Sequence, residues 1–300
     1  MRVVITGANG HIGRRLIRRL NEESPETEIV ALVRSVRAAS TIERENLRAA
    51  VHIVDYGDAP GLRKAVGQCD VIVHLVGIIK ASRGNTYEQA HESACRALVS
   101  ADLGASHLVC LGVVGTHPDS GNACFRSRAR AEEILMGSDI PASVLRVPMV
   151  LGPDDYATWS LGRNGSKKIV FTFRGTSLEQ PIYSEDVTTA VLAAMKLSPA
   201  HRVLELAGPE SLSRSSLIKR AGRILGHNPC VASLPVSLGY LVAGILEVLV
   251  PNPPVTVAML GVLDHDDAVD VKACCELLGL ELTTLDETLA KVLEPSDLTC

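Results

Sequence analysis

Thr6-Gly7-Ala8-Asn9-Gly10-His11-Ile12-Gly13 is the stretch on which the reading of this chain turns. Its three glycines follow the short apolar run Arg2-Val3-Val4-Ile5 and open a segment with Ile12, Leu16, Ile17 and Leu20 at helical spacing. A glycine motif carries meaning when it stands between a strand and a helix in that order. One glycine supplies the positive φ of a tight turn, one lets backbone approach a pyrophosphate, and one lets helix pack closely on strand. The helix N-terminus then presents N–H groups and a positive dipole end to phosphate oxygens. The spacing here is GxxGxxG rather than GxGxxG.

Working outward, apolar runs alternate with helical patterns. Strands are expected at 28–33, 50–54, 70–75, 107–111 and 142–147, with helices at 11–20, 60–66, 86–103 and 129–136. That alternation predicts βαβ units and hence an α/β fold, a doubly wound parallel (Rossmann) sheet with right-handed crossovers. After about residue 150 the rhythm changes to turn-rich segments such as Gly152-Pro153-Asp154-Asp155. A helix at 184–195, a strand at 203–206, a helix at 212–225 capped by Ser213, and a last helix at 286–293 follow. We therefore expect a dinucleotide-binding domain over 1–150 and, over 151–300, a segment that completes the sheet and forms a smaller C-terminal α/β lobe on the substrate side.

Composition narrows the class. The 300 residues are 46% hydrophobic and 3% aromatic, so the core must be aliphatic. A net charge of −4 argues against nucleic acid as a partner. The cluster Arg14, Arg15, Arg18, Arg19 is read as a solvated helix face. The eight cysteines include no CxxC and no zinc-type spacing, which points to reduced thiols, no metal and a cytoplasmic location. No secretory signal opens the chain. The apolar run 234–250 contains Glu247 and ends at Pro251, with Pro253 and Pro254 beyond. It is read as a packed helix, with a membrane-surface helix as the alternative.

The phosphate-loop segment resembles the signature of the extended and atypical short-chain dehydrogenase/reductase superfamily. The likeness continues in His74-Leu75-Val76-Gly77, in Arg146-Val147-Pro148-Met149-Val150-Leu151-Gly152-Pro153 and in Gln180-Pro181-Ile182-Tyr183-Ser184-Glu185-Asp186-Val187. The HLVG segment and the Tyr87…His91 helix look most like the atypical branch, with its NmrA-like proteins and its complex I accessory subunits. The resemblance implies a nicotinamide dinucleotide held by Gly7, Asn9, Gly10, His11, Ile12 and Gly13, by Asp55 near the adenine, by Leu75, Val76 and Gly77 beside strand four, and by Pro148. Strand two ends in Arg34-Ser35-Val36-Arg37, with no carboxylate for a ribose 2′-OH. Arg34 and Arg37 suit a 2′-phosphate, which favours NADP(H) over NAD(H).

The superfamily's chemistry uses a Ser or Thr after strand five and a Tyr four residues before a Lys. Here strand five continues Leu111-Gly112-Val113, and Cys124 and Arg128 stand at the Tyr and Lys positions. Arg128 can bridge ribose hydroxyls but relays protons poorly. His91, one turn from Tyr87, is the further candidate for a titrating group, and His117 a lesser one. Lys80, Arg83, Tyr156, Trp159 and Tyr183 are candidates to line the cleft. The expected role is a dinucleotide-binding structural, regulatory or assembly component. The alternative is an NADPH-dependent oxidoreductase, or an enzyme like the nucleotide-sugar epimerases, with non-standard acid/base residues.

Overall fold

The protein is described by a computed structural model over residues 1–82, 84–250, 253 and 255–293. The chain divides into two units, residues 1–146 with 188–204, and residues 147–187 with 205–300. The first is built on β1 (Arg2–Thr6), α1 (His11–Glu23), β2 (Glu28–Val33), α2 (Val36–Arg44), β3 (Ala50–Ile53), α3 (Ala59–Val66) and β4 (Val71–His74). A π-helical segment, Glu88–Ser93, then runs into α4 (Ala94–Ser100), followed by β5 (His107–Val113), α5 (Ala123–Met136) and β6 (Ala142–Val147). The second unit contributes β7 (Val150–Leu151), α6 (Tyr156–Gly165), β8 (Ile169–Phe173), β9 (Leu178–Glu179), β10 (Ile182–Tyr183) and the start of α7 (Ser184–Lys196). β11 (Arg202–Glu205) brings the chain back to the first unit's sheet. β12 (Leu212–Ser213), α8 (Arg214–Ile224), β13 (Cys230–Leu234), α9 (Val236–Leu249), α10 (Val257–Leu263), α11 (Lys272–Leu278) and α12 (Leu285–Val292) complete the second unit.

The first unit is a Rossmann-like seven-stranded sheet in the order β11-β6-β5-β4-β1-β2-β3. β1 lies parallel to both β2 and β4, and the order reverses across that pair. Ligands of open α/β sheets bind outside the strand C-termini at such a switch point, which is where the phosphate loop leaves β1. β1 and β4 are buried along nearly their whole length rather than alternating, as in a parallel sheet covered on both faces. The core joins Val4, Val30, Ile72 and Leu108 of the strands to Leu62, Leu98 and Leu135 of the helices.

Several expectations change in detail. The helix expected over 86–103 starts as π turns and stops at Ser100, where positive-φ residues Asp102 and Gly104 end it. The helix expected from residue 129 begins at Ala123, because the Asn122 side chain accepts from the Cys124 N–H at 2.8 Å. The arginine cluster of α1 is only partly a solvated face, with Arg18 exposed. Arg15 is buried, and Arg14 and Arg18 both pair with Glu45, a partner 31 and 27 residues away that helical periodicity does not disclose.

In the second unit α6 and α8 pack together around Leu161, Leu217 and Ala221, joined by Leu285 and Leu289 of α12. β8 and β13 form a parallel pair that the sequence pattern did not suggest. The helix expected in 234–250 is present as α9, but it buries only Gly239 and Ala243. No helix among the described residues is long and apolar enough to cross a membrane. Pro251 and Pro254 lie outside the described residues.

Candidate functional site

The loop from β1 to α1 has the geometry its glycines predict. Gly7 has φ +70°, and a Cβ there would lie 3.2 Å from the Leu75 carbonyl and 3.3 Å from the Val76 nitrogen. A Cβ on Gly13 would lie 2.6 Å from the Ala8 oxygen and 2.7 Å from the Gly7 oxygen. Gly10 is the N-cap of α1, in ordinary extended conformation, and no side chain caps the helix. The first turn of α1, at His11, Ile12 and Gly13, carries the positive end of the helix dipole, which suits an anion. Asn9 is half-buried in the loop.

Tyr56 anchors this loop, and sequence reasoning passed it over. Its hydroxyl accepts from the Gly7 N–H at 2.9 Å and donates to the Leu32 carbonyl at 2.7 Å. One buried phenol thus ties the start of the phosphate loop to the end of β2. Arg34, exposed at that end, lies 6.0 Å over the Tyr56 ring and donates to Asn85 Oδ1 at 2.7 Å. Arg37 is exposed on the first turn of α2, which Ser35 caps. Asp55 is exposed and accepts from the Gly57 N–H at 2.9 Å.

Beyond β4, Leu75-Val76-Gly77 carries the geometry from the phosphate loop toward α5. A Cβ on Gly77 would run into the Arg128 guanidinium. Arg128 stands one helical turn after Cys124 on α5, and its Nε is buried with no hydrogen-bond partner among the described residues. The Cys124 thiol lies 3.5 Å from the Ile78 carbonyl, and burial raises its pKa against the pull of Arg128. His91, 2% exposed, sits in the π-helical segment, stacked on Tyr87 with ring centroids 5.8 Å apart. Its Nε2 lies 3.1 Å from the Ile78 nitrogen, while its Nδ1 is buried without a partner among the described residues. Burial first, and then the Arg128 charge, push His91 down to about 3. The same two causes in the same order bring His74, which shares a 2.8 Å hydrogen bond with Thr6, to about 4.

His74, His91 and Arg128 line one cavity of the first unit, with Val76, Cys95, Cys110, Gly112 and Glu132. Glu132 is occupied by Arg146 at 2.6 Å, and Ser127 donates to Glu92 at 2.9 Å. These buried carboxylates were also missed, because a helical Glu reads as solvent-facing until its partner on another element is known. Burial holds the Cys95 thiol up at about 12. The cavity thus combines a permanent cation with neutral imidazoles and protonated thiols.

His117 is exposed, its Nδ1 accepting from the Asp119 N–H. Lys80 is half-buried. Pro148, Tyr156, Trp159 and Tyr183 belong to the second unit. There Tyr156 and Trp159 pack at 5.6 Å, Arg163 lies over Trp159, and Lys291 lies over Tyr183. Arg83 lies outside the described residues. Among the described residues no group of three or more His, Cys, Asp or Glu could hold a metal ion.

Sheet order, switch point and glycine cradle define a dinucleotide-binding protein of the Rossmann class. The sequence model of the NAD(P)H-binding family matches residues 7–197, and the chain belongs to that family, within the atypical short-chain dehydrogenase/reductase superfamily. It is 26% identical to a protein named ceramide reductase from Caulobacter vibrioides, over 81% of this chain and 76% of that one. It is 24% identical to the mitochondrial NADH dehydrogenase (ubiquinone) 1 alpha subcomplex subunit 9 of Arabidopsis thaliana, over 67% of this chain and 52% of the plant subunit, about half its length. In fold it is similar to a UDP-glucuronic acid 4-epimerase from Bacillus cereus solved with NAD. The TM-score is 0.72 at 17% identity, covering 98% of this chain and 97% of that one.

Proposed function

We propose that the chain is a nicotinamide-dinucleotide-dependent reductase that favours NADP(H) and acts on a carbonyl carried by a ceramide-type lipid. The observation that carries this reading is the place of Arg128. Its guanidinium abuts Gly77, two residues past the Leu75 backbone that packs on Gly7 of the phosphate loop. A permanent cation with a spare buried donor therefore stands beside the cradle. The substrate class rests on the likeness to the ceramide reductase.

The residues fit the cofactor. The glycine backbone at 7, 10 and 13, with Asn9, His11 and Ile12, would take the diphosphate on the α1 N-terminus. Arg34 and Arg37 would pair with a 2′-phosphate, and Asp55 would lie near the adenine. Leu75, Val76 and Gly77 would border the nicotinamide side. Bound there, the dinucleotide supplies a hydride. Arg128 would hold the ribose hydroxyls and stabilise charge developing on the substrate oxygen. A guanidinium donates hydrogen bonds without giving up a proton, so water delivers the proton that completes the alcohol. The standard Ser-Tyr-Lys set is replaced here by Gly112, Cys124 and Arg128. Free thiols at all seven described cysteines suit a reducing compartment such as the cytoplasm.

The test is NADPH oxidation by the purified chain over a panel of carbonyl lipids, beside Arg128→Ala and Arg128→Lys. Turnover with at least one lipid is expected, lost in Arg128→Ala and partly kept in Arg128→Lys. A second reading, a cofactor-holding structural, regulatory or assembly component, is favoured by one observation. None of His74, His91 and Cys95 in the cavity has a pKa near neutrality, so none is placed to exchange a proton at pH 7. Cofactor binding with no turnover across the whole panel would select that reading.

A further inference from the structure

The second unit carries an apolar surface that none of its own described residues cover. On α9 the exposed side chains are Leu238, Leu241, Val242, Ile245, Val248 and Leu249, spaced i, i+3, i+4, i+7, i+10 and i+11. That is one stripe of a helix, and it faces solvent where a packed helix would face its core. Val248 is 85% exposed and Leu249 72%. The opposite side, at Gly239, packs on Phe173 and Leu260. Phe173 ends β8, and the alternation of a strand puts Ile169 and Phe171 on its same face. Both are exposed, Phe171 at 70%. β8 thus adds two exposed apolar side chains to the surface of the second unit, and Lys167 and Lys168, both exposed, stand where that strand begins.

From this arrangement we propose that the α9–β8 face is a docking surface for an anionic phospholipid bilayer, on which the chain lies without crossing it. The charge distribution selects this occupant over a second copy of the chain. The only charged residue of α9, Glu247, is engaged by the Val257 N–H at 2.9 Å, while the lysine pair at the rim suits lipid phosphates. The proposal rests on the second unit and is independent of how the cofactor site is read. It would bring the chain to the phase in which a ceramide-type lipid resides.

The experiment is co-sedimentation of the full chain with vesicles of phosphatidylcholine alone and with 30 mol% phosphatidylglycerol, at low and high salt. Three variants accompany it: Val248→Glu, Leu241→Glu with Val248→Glu, and Lys167→Ala with Lys168→Ala. Melting midpoint and NADPH binding are measured on each, and since Val248 and Leu241 are exposed, both should match the parent. The parent should pellet with anionic vesicles. The glutamate variants should bind at least about tenfold less, and the lysine variant should lose the anionic preference and its salt dependence. Equal pelleting of parent and glutamate variants would overturn the proposal. So would the absence of vesicle binding by the parent, or a solution dimer that Val248→Glu dissolves while vesicle binding is absent.

Discussion

Gly13→Ala is the perturbation that most directly probes the phosphate loop. Alanine at an interior helical position ordinarily stabilises, by up to about 1 kcal/mol over glycine. Here the new methyl would sit 2.6 Å from the Ala8 oxygen and 2.7 Å from that of Gly7. Both are backbone atoms in a loop pinned by Tyr56, so neither can swing aside as a side-chain tip would. Relieving such a contact by moving backbone costs about 1–3 kcal/mol. The net should be destabilisation by about 1–2 kcal/mol, a midpoint lower by about 2–8 °C for a unit of this size. The displaced first turn of α1 should also weaken the dinucleotide by at least about tenfold, the worth of one charge-assisted hydrogen bond. Thermal melting with and without NADPH, joined to a fluorescence titration, reads both effects. Gly10→Ala is the control. Its φ is ordinary, and its Cβ meets only the Gly7 oxygen, at 3.1 Å, so stability should change less while affinity falls because the methyl crowds the phosphates. A Gly13→Ala protein that melts higher than the parent and binds NADPH unchanged would refute the reasoning.

Other expectations follow from the same geometry. Arg34→Asp should weaken NADPH by about tenfold or more and NADH by much less, because a 2′-phosphate would lose a cation and meet a like charge; equal losses in the two titrations would remove Arg34 from the 2′-phosphate site. His91 and His74 are held neutral when folded, near 3 and 4, against an ordinary 6.5. The unfolded chain therefore binds more protons than the native one below about pH 6.5, and stability should be full above that pH and fall as pH drops toward the folded values. Each histidine contributes at most about 1.4 kcal/mol per pH unit in that window. His91→Asn should flatten the fall in melting midpoint between pH 6.5 and 5, and an unchanged profile would mean that His91 is charged or solvated when folded. Glu132→Ala should destabilise by about 1.5–3 kcal/mol by removing the carboxylate that accepts from Arg146 at 2.6 Å, measurable as a lowered denaturation midpoint.

What the chain's own order determined is what short-range physics can specify. The run Val3-Val4-Ile5, the glycines at 7, 10 and 13, and the 3.6-residue spacing of Ile12, Leu16 and Leu20 dictate strand, turn and helix within 20 residues, because φ range and apolar periodicity are local properties. Repeating that unit dictated a parallel sheet, and the Cys124–Arg128 spacing placed both side chains on one turn of α5. Tertiary structure alone decided the contacts that reach across the chain. β8 and β13 are too short and too separated in sequence to announce their pairing. Arg14 is covered and paired only where α1 meets Glu45. His91 is a titratable residue by type, and only its burial beside Arg128 makes it neutral. Tyr56 became the anchor of the phosphate loop only when β1 and β2 came side by side. The apolar run of α9 is the same sequence whether packed or exposed, and which of these it is depends on what the rest of the second unit leaves uncovered.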